Sequence, residues 1–181
     1  WYTVMVGLLA FATLTQHGAL WVALKTEDIL EHRAQKAARV AWLAVAALTV
    51  LVTIATMRVQ PQVPHNLSAY PWGYVFPALA VGGLLGVAVF SRRGDNFKAF
   101  LSSCAYITGM LTSAVFGVFP YVLPANSDPS LSLTISNTAT GAYGLKVALM
   151  WWIPGMLLVA AYSIFIYRHF AGKVVLEEEG Y

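Results

Sequence analysis

Charge is what this sequence has least of. Only 10% of its 181 residues are Asp, Glu, Lys or Arg, where a soluble domain carries about a quarter. With 59% hydrophobic residues and a mean hydropathy of +0.66, the chain cannot present a surface that faces mostly water. It has a single cysteine, Cys104, which excludes an intrachain disulfide and a Cys-only metal site; set in an apolar run, it reads as a buried, inert thiol. There is no phosphate-cradling glycine loop, no CxxC and no HExxH. Nor does the chain open with an initiator Met, a basic n-region or a cleavage motif. Trp1 and Tyr2 lead straight into an apolar span, so the start is no signal peptide and reads as the middle of something larger.

What is present is a set of five long apolar runs, roughly 2–24, 40–57, 74–90, 99–123 and 147–167, none containing Asp, Glu, Lys or Arg. A helix crosses a bilayer with about 20 apolar residues. A transmembrane β-strand would need segments of about ten with strict alternation, which these runs do not show. The expected fold class is all-α integral membrane, about five transmembrane helices forming one domain over 1–181 and part of a larger polytopic bundle.

The cations fall between the runs. Lys25, Arg33, Lys36, Arg39, Arg92, Arg93, Lys98, Arg168 and Lys173 lie on one side and only Arg58 and Lys146 on the other, nine of the eleven against two. The positive-inside rule places the first side, with the carboxyl terminus, in the cytoplasm. A formal charge of +3 and a pI near 9.1 thus belong to membrane topology. No basic stripe with exposed aromatics is present, and nucleic acid is excluded as a partner.

Thr26–Arg39 reads as a helical arm capped by Thr26, with acids in its first turn, lying near anionic headgroups. Proline-rich 58–74 reads as irregular, and its lone His65 lacks a second metal ligand. Gly82 and Gly86 form a small-xxx-small pair, and the short turn 91–98 makes the third and fourth spans antiparallel neighbours. The stretch 125–146 is as long as a span yet polar, which suggests a loop folded over something. Pro154 interrupts the last span, and Glu177–Glu179 end the chain as a solvated acidic run.

The fourth run organises the rest. Gly109, Ser113 and Gly117 fall at i, i+4 and i+8, a smooth stripe along which another helix can approach closely. His17 is the only histidine inside a span. Intramembrane ionisable groups are costly and often functional, so an axial haem ligand and a proton relay are both considered. A neutral imidazole hydrogen-bonded to a neighbouring helix is the preferred reading, because His32, His65 and His169 lie outside the spans. No acid lies within a span, so no nucleophile-base-acid set can be assembled there and no ion-coupled transporter is indicated.

Two stretches carry a resemblance. Phe119, Pro120, Tyr121 and Pro124, then Asn126 and Ser127, then Ser132, Leu133 and Thr134 close one helix and lead toward the last. Gly18, Ala19, Trp21, Lys25 and Thr26 do the same at the end of the first. In both, the chain resembles subunit II of the cytochrome bd-type quinol oxidases, over nearly its whole length and least in 58–74. The resemblance implies a haem-free, non-catalytic subunit that scaffolds subunit I in a bacterial inner-membrane complex. Such a complex oxidises quinol and reduces dioxygen to water, with two b-type haems and one d-type haem in subunit I. It also implies that the family's amino-terminal part, with its acidic proton-delivery residues, is absent here, so no proton-path residue is carried over. Lipid and quinone both stay open as occupants of a groove. The alternative reading is a membrane transport or assembly component without redox activity.

Overall fold

The computed structural model describes residues 1–125 and 128–173. Asn126, Ser127 and the Glu177–Glu179 run lie outside the described residues. Among the described residues five helices are long and apolar enough to cross a bilayer, and the protein is an all-α integral membrane protein. The chain divides into two compact units: Trp1–Phe119, with Lys173 joined to it, and Pro120–Gly172.

In the first unit α1 (Tyr2–Lys25) packs along α2 (Asp28–Val59), and α4 (Val75–Arg92) along α5 (Asn96–Val118). α1 also meets α5, and α2 meets α4. Lipid tails are as apolar as leucine, so helices in a bilayer associate through close packing and hydrogen bonds, which favours small residues where they touch. The buried positions follow that rule: Ala23 of α1, Ala34 and Ala38 of α2, Ala80 and Gly83 of α4, Ala99 and Gly109 of α5. Larger apolar residues fill two clusters. One is built on Leu9, Val45, Val52, Ala80 and Tyr106, the other on Leu20, Ala38, Val87 and Ala99. The bulk of the long side chains, Phe11, Leu43 and Val115 among them, point outward.

Several boundaries depart from the sequence reading. The arm is not a separate helix: α2 runs unbroken for 32 residues, about 48 Å at 1.5 Å per residue. Thr26 closes α1 instead of opening the arm, its hydroxyl donating to the Val22 carbonyl at 2.8 Å. Glu27 is the N-cap of α2, without a side-chain capping bond. The stretch 58–74 is helical, containing α3 (Gln62–Ala69) and a 3-10 turn, Pro71–Tyr74, that runs into α4. Its prolines sit at helix starts, where a missing N–H removes no bond, so they begin these helices and do not break them. The helix of the fourth run, α5, stops at Val118, five residues before Leu123. Phe119 turns to φ −54°, ψ 138°, the extended backbone that a following proline imposes.

Between α4 and α5 the turn is fully bonded. Gly94, at φ 74°, lets the Asp95 N–H reach the Phe90 carbonyl and its own N–H reach that of Ser91, the two bonds of a Schellman ending. Asp95 then caps α5 by accepting the Lys98 N–H at 3.0 Å.

The second unit holds a short antiparallel pair, β1 (Tyr121–Leu123) with β2 (Leu133–Thr134), and α6 (Ala142–His169). None of the described residues of α6 is buried. Pro154 lies within it and offers no donor to the carbonyl one turn before.

Candidate functional site

The first unit bonds polar side chains across its helices, among the apolar clusters and at both ends of α5. On α1 the inward positions are Leu9, Gln16, Leu20 and Ala23, so the helical period that buries leucine also buries an amide. His17, one residue on, is half-buried; its ring stacks on Phe100 of α5 at 4.7 Å between centroids, and its Nδ1 lies 2.7 Å from Ser103 Oγ. The Ser103 hydroxyl donates to the Phe100 carbonyl at 2.6 Å. Its single proton is thereby used, so it accepts from Nδ1–H and leaves a lone pair on His17 Nε2. The same logic orders the next pair. Thr49 of α2 donates to the Val45 carbonyl at 2.7 Å and accepts from the buried Tyr106 hydroxyl at 2.6 Å. Higher on α2, Thr56 donates to Val52 and accepts from Tyr2 at 2.9 Å. Gln16 is the exception: 1% exposed, it has no partner for its Nε2 among the described residues.

At the far end of α5 a second polar device appears. A helix leaves its last carbonyls without intrahelical donors, and Pro120 cannot supply one. Asn66 of α3, 4% exposed, supplies them: its Nδ2 reaches the carbonyls of Phe116 at 3.0 Å, Gly117 at 3.1 Å and Phe119 at 2.6 Å. Gln62 orients it by donating to Asn66 Oδ1 at 2.9 Å. Gly117 lies against Val63, which a Cβ there would approach to 2.9 Å. Beside this end a groove of about 660 Å³ is walled by Tyr70, Trp72, Phe76, Val115, Phe116 and Phe119. The rings of Trp72, Phe76 and Phe116 meet at 5.1 to 5.7 Å.

Of the stripe on α5, Gly109 meets the backbone of Ala80, with no room for a Cβ, while Ser113 turns its hydroxyl to the Gly109 carbonyl of its own helix at 2.6 Å. Of the glycine pair on α4, Gly86 lies against Ser102 but Gly82 faces open space. The tight contact belongs to Gly83, against the Tyr106 backbone and the Ser102 carbonyl. The positions Phe119, Pro120, Tyr121, Pro124, Ser132, Leu133 and Thr134 divide between the helix end and the hairpin. Phe119 is the C-cap of α5, Tyr121 pairs with Thr134 and Leu123 with Leu133, and the Ile135 N–H returns to the Pro120 carbonyl at 3.0 Å. Ser132 is buried and accepts the Ala125 N–H at 3.0 Å. Pro124 is exposed.

At the opposite end Asn96 joins three elements, donating to the Ala23 carbonyl of α1 at 3.1 Å and to Glu31 at 2.7 Å, and accepting from Gln35 at 3.1 Å. Lys173 meets Glu31 at 2.8 Å, and that hydrogen bond raises the lysine above its ordinary pKa. Asp95 is held below the usual carboxylate range, chiefly by the Lys98 N–H.

The sequence reading singled out His17 but not Gln16, Asn66 or Asn96. Gln16 was findable, since Leu9, Gln16 and Ala23 share a seven-residue spacing. Asn66 and Asn96 act on carbonyls distant in sequence and carry no local signal. For haem, His17 has Nδ1 engaged with Ser103; the other described histidines lie in the arm, in α3 and at the end of α6. Among the described residues no three His, Cys, Asp or Glu side chains cluster as metal ligands would.

An all-α membrane protein with small residues at its helix contacts and polar side chains bonded across its core is the class these features define. The chain belongs to the cytochrome bd terminal oxidase subunit II family, whose model its residues 1–170 match. It is 25% identical to the probable cytochrome oxidase subunit 2 of Haemophilus influenzae, over 96% of this chain and 52% of that protein. To the cytochrome bd ubiquinol oxidase subunit 2 of Bacillus subtilis it is 27% identical, over 92% of this chain and 49% of the relative. The chain spans about half the length of the curated relatives it matches.

Proposed function

We propose that the chain is the carboxyl-terminal membrane portion of subunit II of a bacterial bd-type quinol oxidase, where it acts as a haem-free scaffold and lateral wall for subunit I. In this reading the complex oxidises quinol and reduces dioxygen to water, and the two b-type haems and one d-type haem reside in the partner subunit. The observation that carries it is how the core uses its polar groups. His17, Ser103, Thr49, Tyr106, Asn66 and Asn96 are all engaged in bonds between helices or to helix ends, and none of them is a carboxylate. Such a set joins and aligns helices, as a scaffold requires. The nine-to-two cation asymmetry supports an inner-membrane orientation with the carboxyl terminus in the cytoplasm.

The test is purification through an affinity tag on this chain after gentle detergent extraction. We expect a co-migrating haem-bearing subunit, b- and d-type haem absorbance and quinol-dependent oxygen uptake. When the chain is separated from its partner, the haem should remain with the partner. A preparation with neither haem absorbance nor a haem-bearing companion overturns the oxidase reading.

A further inference from the structure

Between α2 and α4, at the end where the basic connections gather, lies a recess of about 200 Å³. Its lining residues combine two chemistries: Arg39 and Arg92, one from each helix, with Ser91, beside apolar residues that include Trp42, Leu43 and Val87. The ring of Trp42 contributes surface only, since its N–H is already donated to the Leu84 carbonyl at 2.9 Å. Arg39 places one N–H on the Gln35 carbonyl at 3.3 Å. Among the described residues neither arginine pairs with a carboxylate.

Two arginines lining one recess at the edge of an apolar bundle, neither paired with a carboxylate among the described residues, suit an anion that also has an apolar part. Guanidinium forks match phosphate oxygens two at a time, more specifically than an ammonium would. The recess is smaller than the roughly 300 Å³ at which sites enclosing an organic cofactor begin. It is of headgroup size. Below it the exposed face continues with Leu43 and Leu85, which suits acyl chains and not a soluble anion. Basic pockets between transmembrane helices recognise lipid headgroups in this way. We propose that the recess between Arg39 and Arg92 binds the phosphate of an anionic phospholipid, whose acyl chains lie along the Leu43 and Leu85 face. A zwitterionic lipid brings its own cation and gains less there. This inference is independent of the oxidase reading.

The experiment uses the detergent-extracted complex that carries this chain, stripped of lipid and titrated with phosphatidylglycerol, phosphatidylcholine or inorganic phosphate, with bound lipid counted by native mass spectrometry. Phosphatidylglycerol should bind more tightly than phosphatidylcholine, and inorganic phosphate should not displace it at equal concentration. The double variant Arg39→Gln/Arg92→Gln should weaken phosphatidylglycerol binding by roughly fivefold per arginine. Arg33→Gln/Lys36→Gln, which removes the same charge from the arm outside the recess, should leave it unchanged. Equal loss in both double variants, equal affinity for the two lipids, or displacement by inorganic phosphate overturns the proposal. If the arginine variant does not assemble, Ala88→Leu narrows the recess with both charges intact and should weaken binding; unchanged binding in that variant also overturns it.

Discussion

Asn66 holds the carbonyls of Phe116, Gly117 and Phe119 with one amide nitrogen. Replacing it with Ala would take the side-chain donor from the Phe116 and Gly117 carbonyls and leave that of Phe119 only Gln62 Nε2 at 3.3 Å, a cost of about 1–3 kcal/mol. We expect Asn66→Ala to lower the thermal unfolding midpoint of the purified complex. Asn66→Asp should lower it at least as far, because a carboxylate offers the carbonyls no proton. His17 and Ser103 make a weaker test. Interhelical hydrogen bonds in membranes average about 0.6 kcal/mol, so a double-mutant cycle on His17→Leu and Ser103→Ala should return a coupling of that order; one well above it would mean that His17 does more than join α1 to α5. Asp95 introduces pH. Its carboxyl is depressed in the folded chain by the Lys98 N–H, so the cap contributes fully above the ordinary aspartate pKa and is lost as pH falls through the depressed value. Amide exchange in the first turn of α5 should therefore gain an acid-dependent opening that Asp95→Asn abolishes.

Among the elements, the contact of α4 with α5 is where shape decides. Gly83 and Gly109 each face the backbone of the opposite helix, with no room for a Cβ. Gly83→Leu or Gly109→Leu should separate the helices and reduce recovery of assembled complex in co-purification. Gly82→Leu, facing open space, should assemble normally. Gly117→Leu falls between, because Val63 is a side chain that can shift. The contrast between Gly82 and Gly83 also marks what the sequence can tell. Periodicity places glycines on a helix, but with two adjacent only the phase of Ala80, Gly83 and Val87 separates the inward one. The apolar runs were legible because the bilayer imposes their length. The helical nature of 58–74 was not, because proline is read locally as a breaker, and only position separates Pro61 and Pro64 at a helix start from prolines that end one. Asn66 was hidden for another reason: what it satisfies lies about fifty residues on, and a pattern within one element cannot show it.

At the scale of the molecule, the polar bonds and the small-residue contacts serve one arrangement: hydrogen bonds join α1, α2 and α3 to α5, and close glycine contacts join α4 to it. The family signature and the packing residues coincide in part. Phe119 is at once a position of the resemblance and the C-cap of α5, whereas Ser132 and Thr134 hold a hairpin of their own.

The unbroken length of α2 makes it a lever. With its apolar run beginning at Val40, the twelve residues from Asp28 to Arg39 extend about 18 Å beyond it on the same axis. Because no hinge divides the two parts, any inclination of the span is reproduced in the arm. An inclination of about 20°, ordinary for membrane helices, carries the tip of the arm sideways by roughly 6 Å. A change in bilayer thickness that tilts the span would thus be read out, as displacement, at Glu31 and its partners.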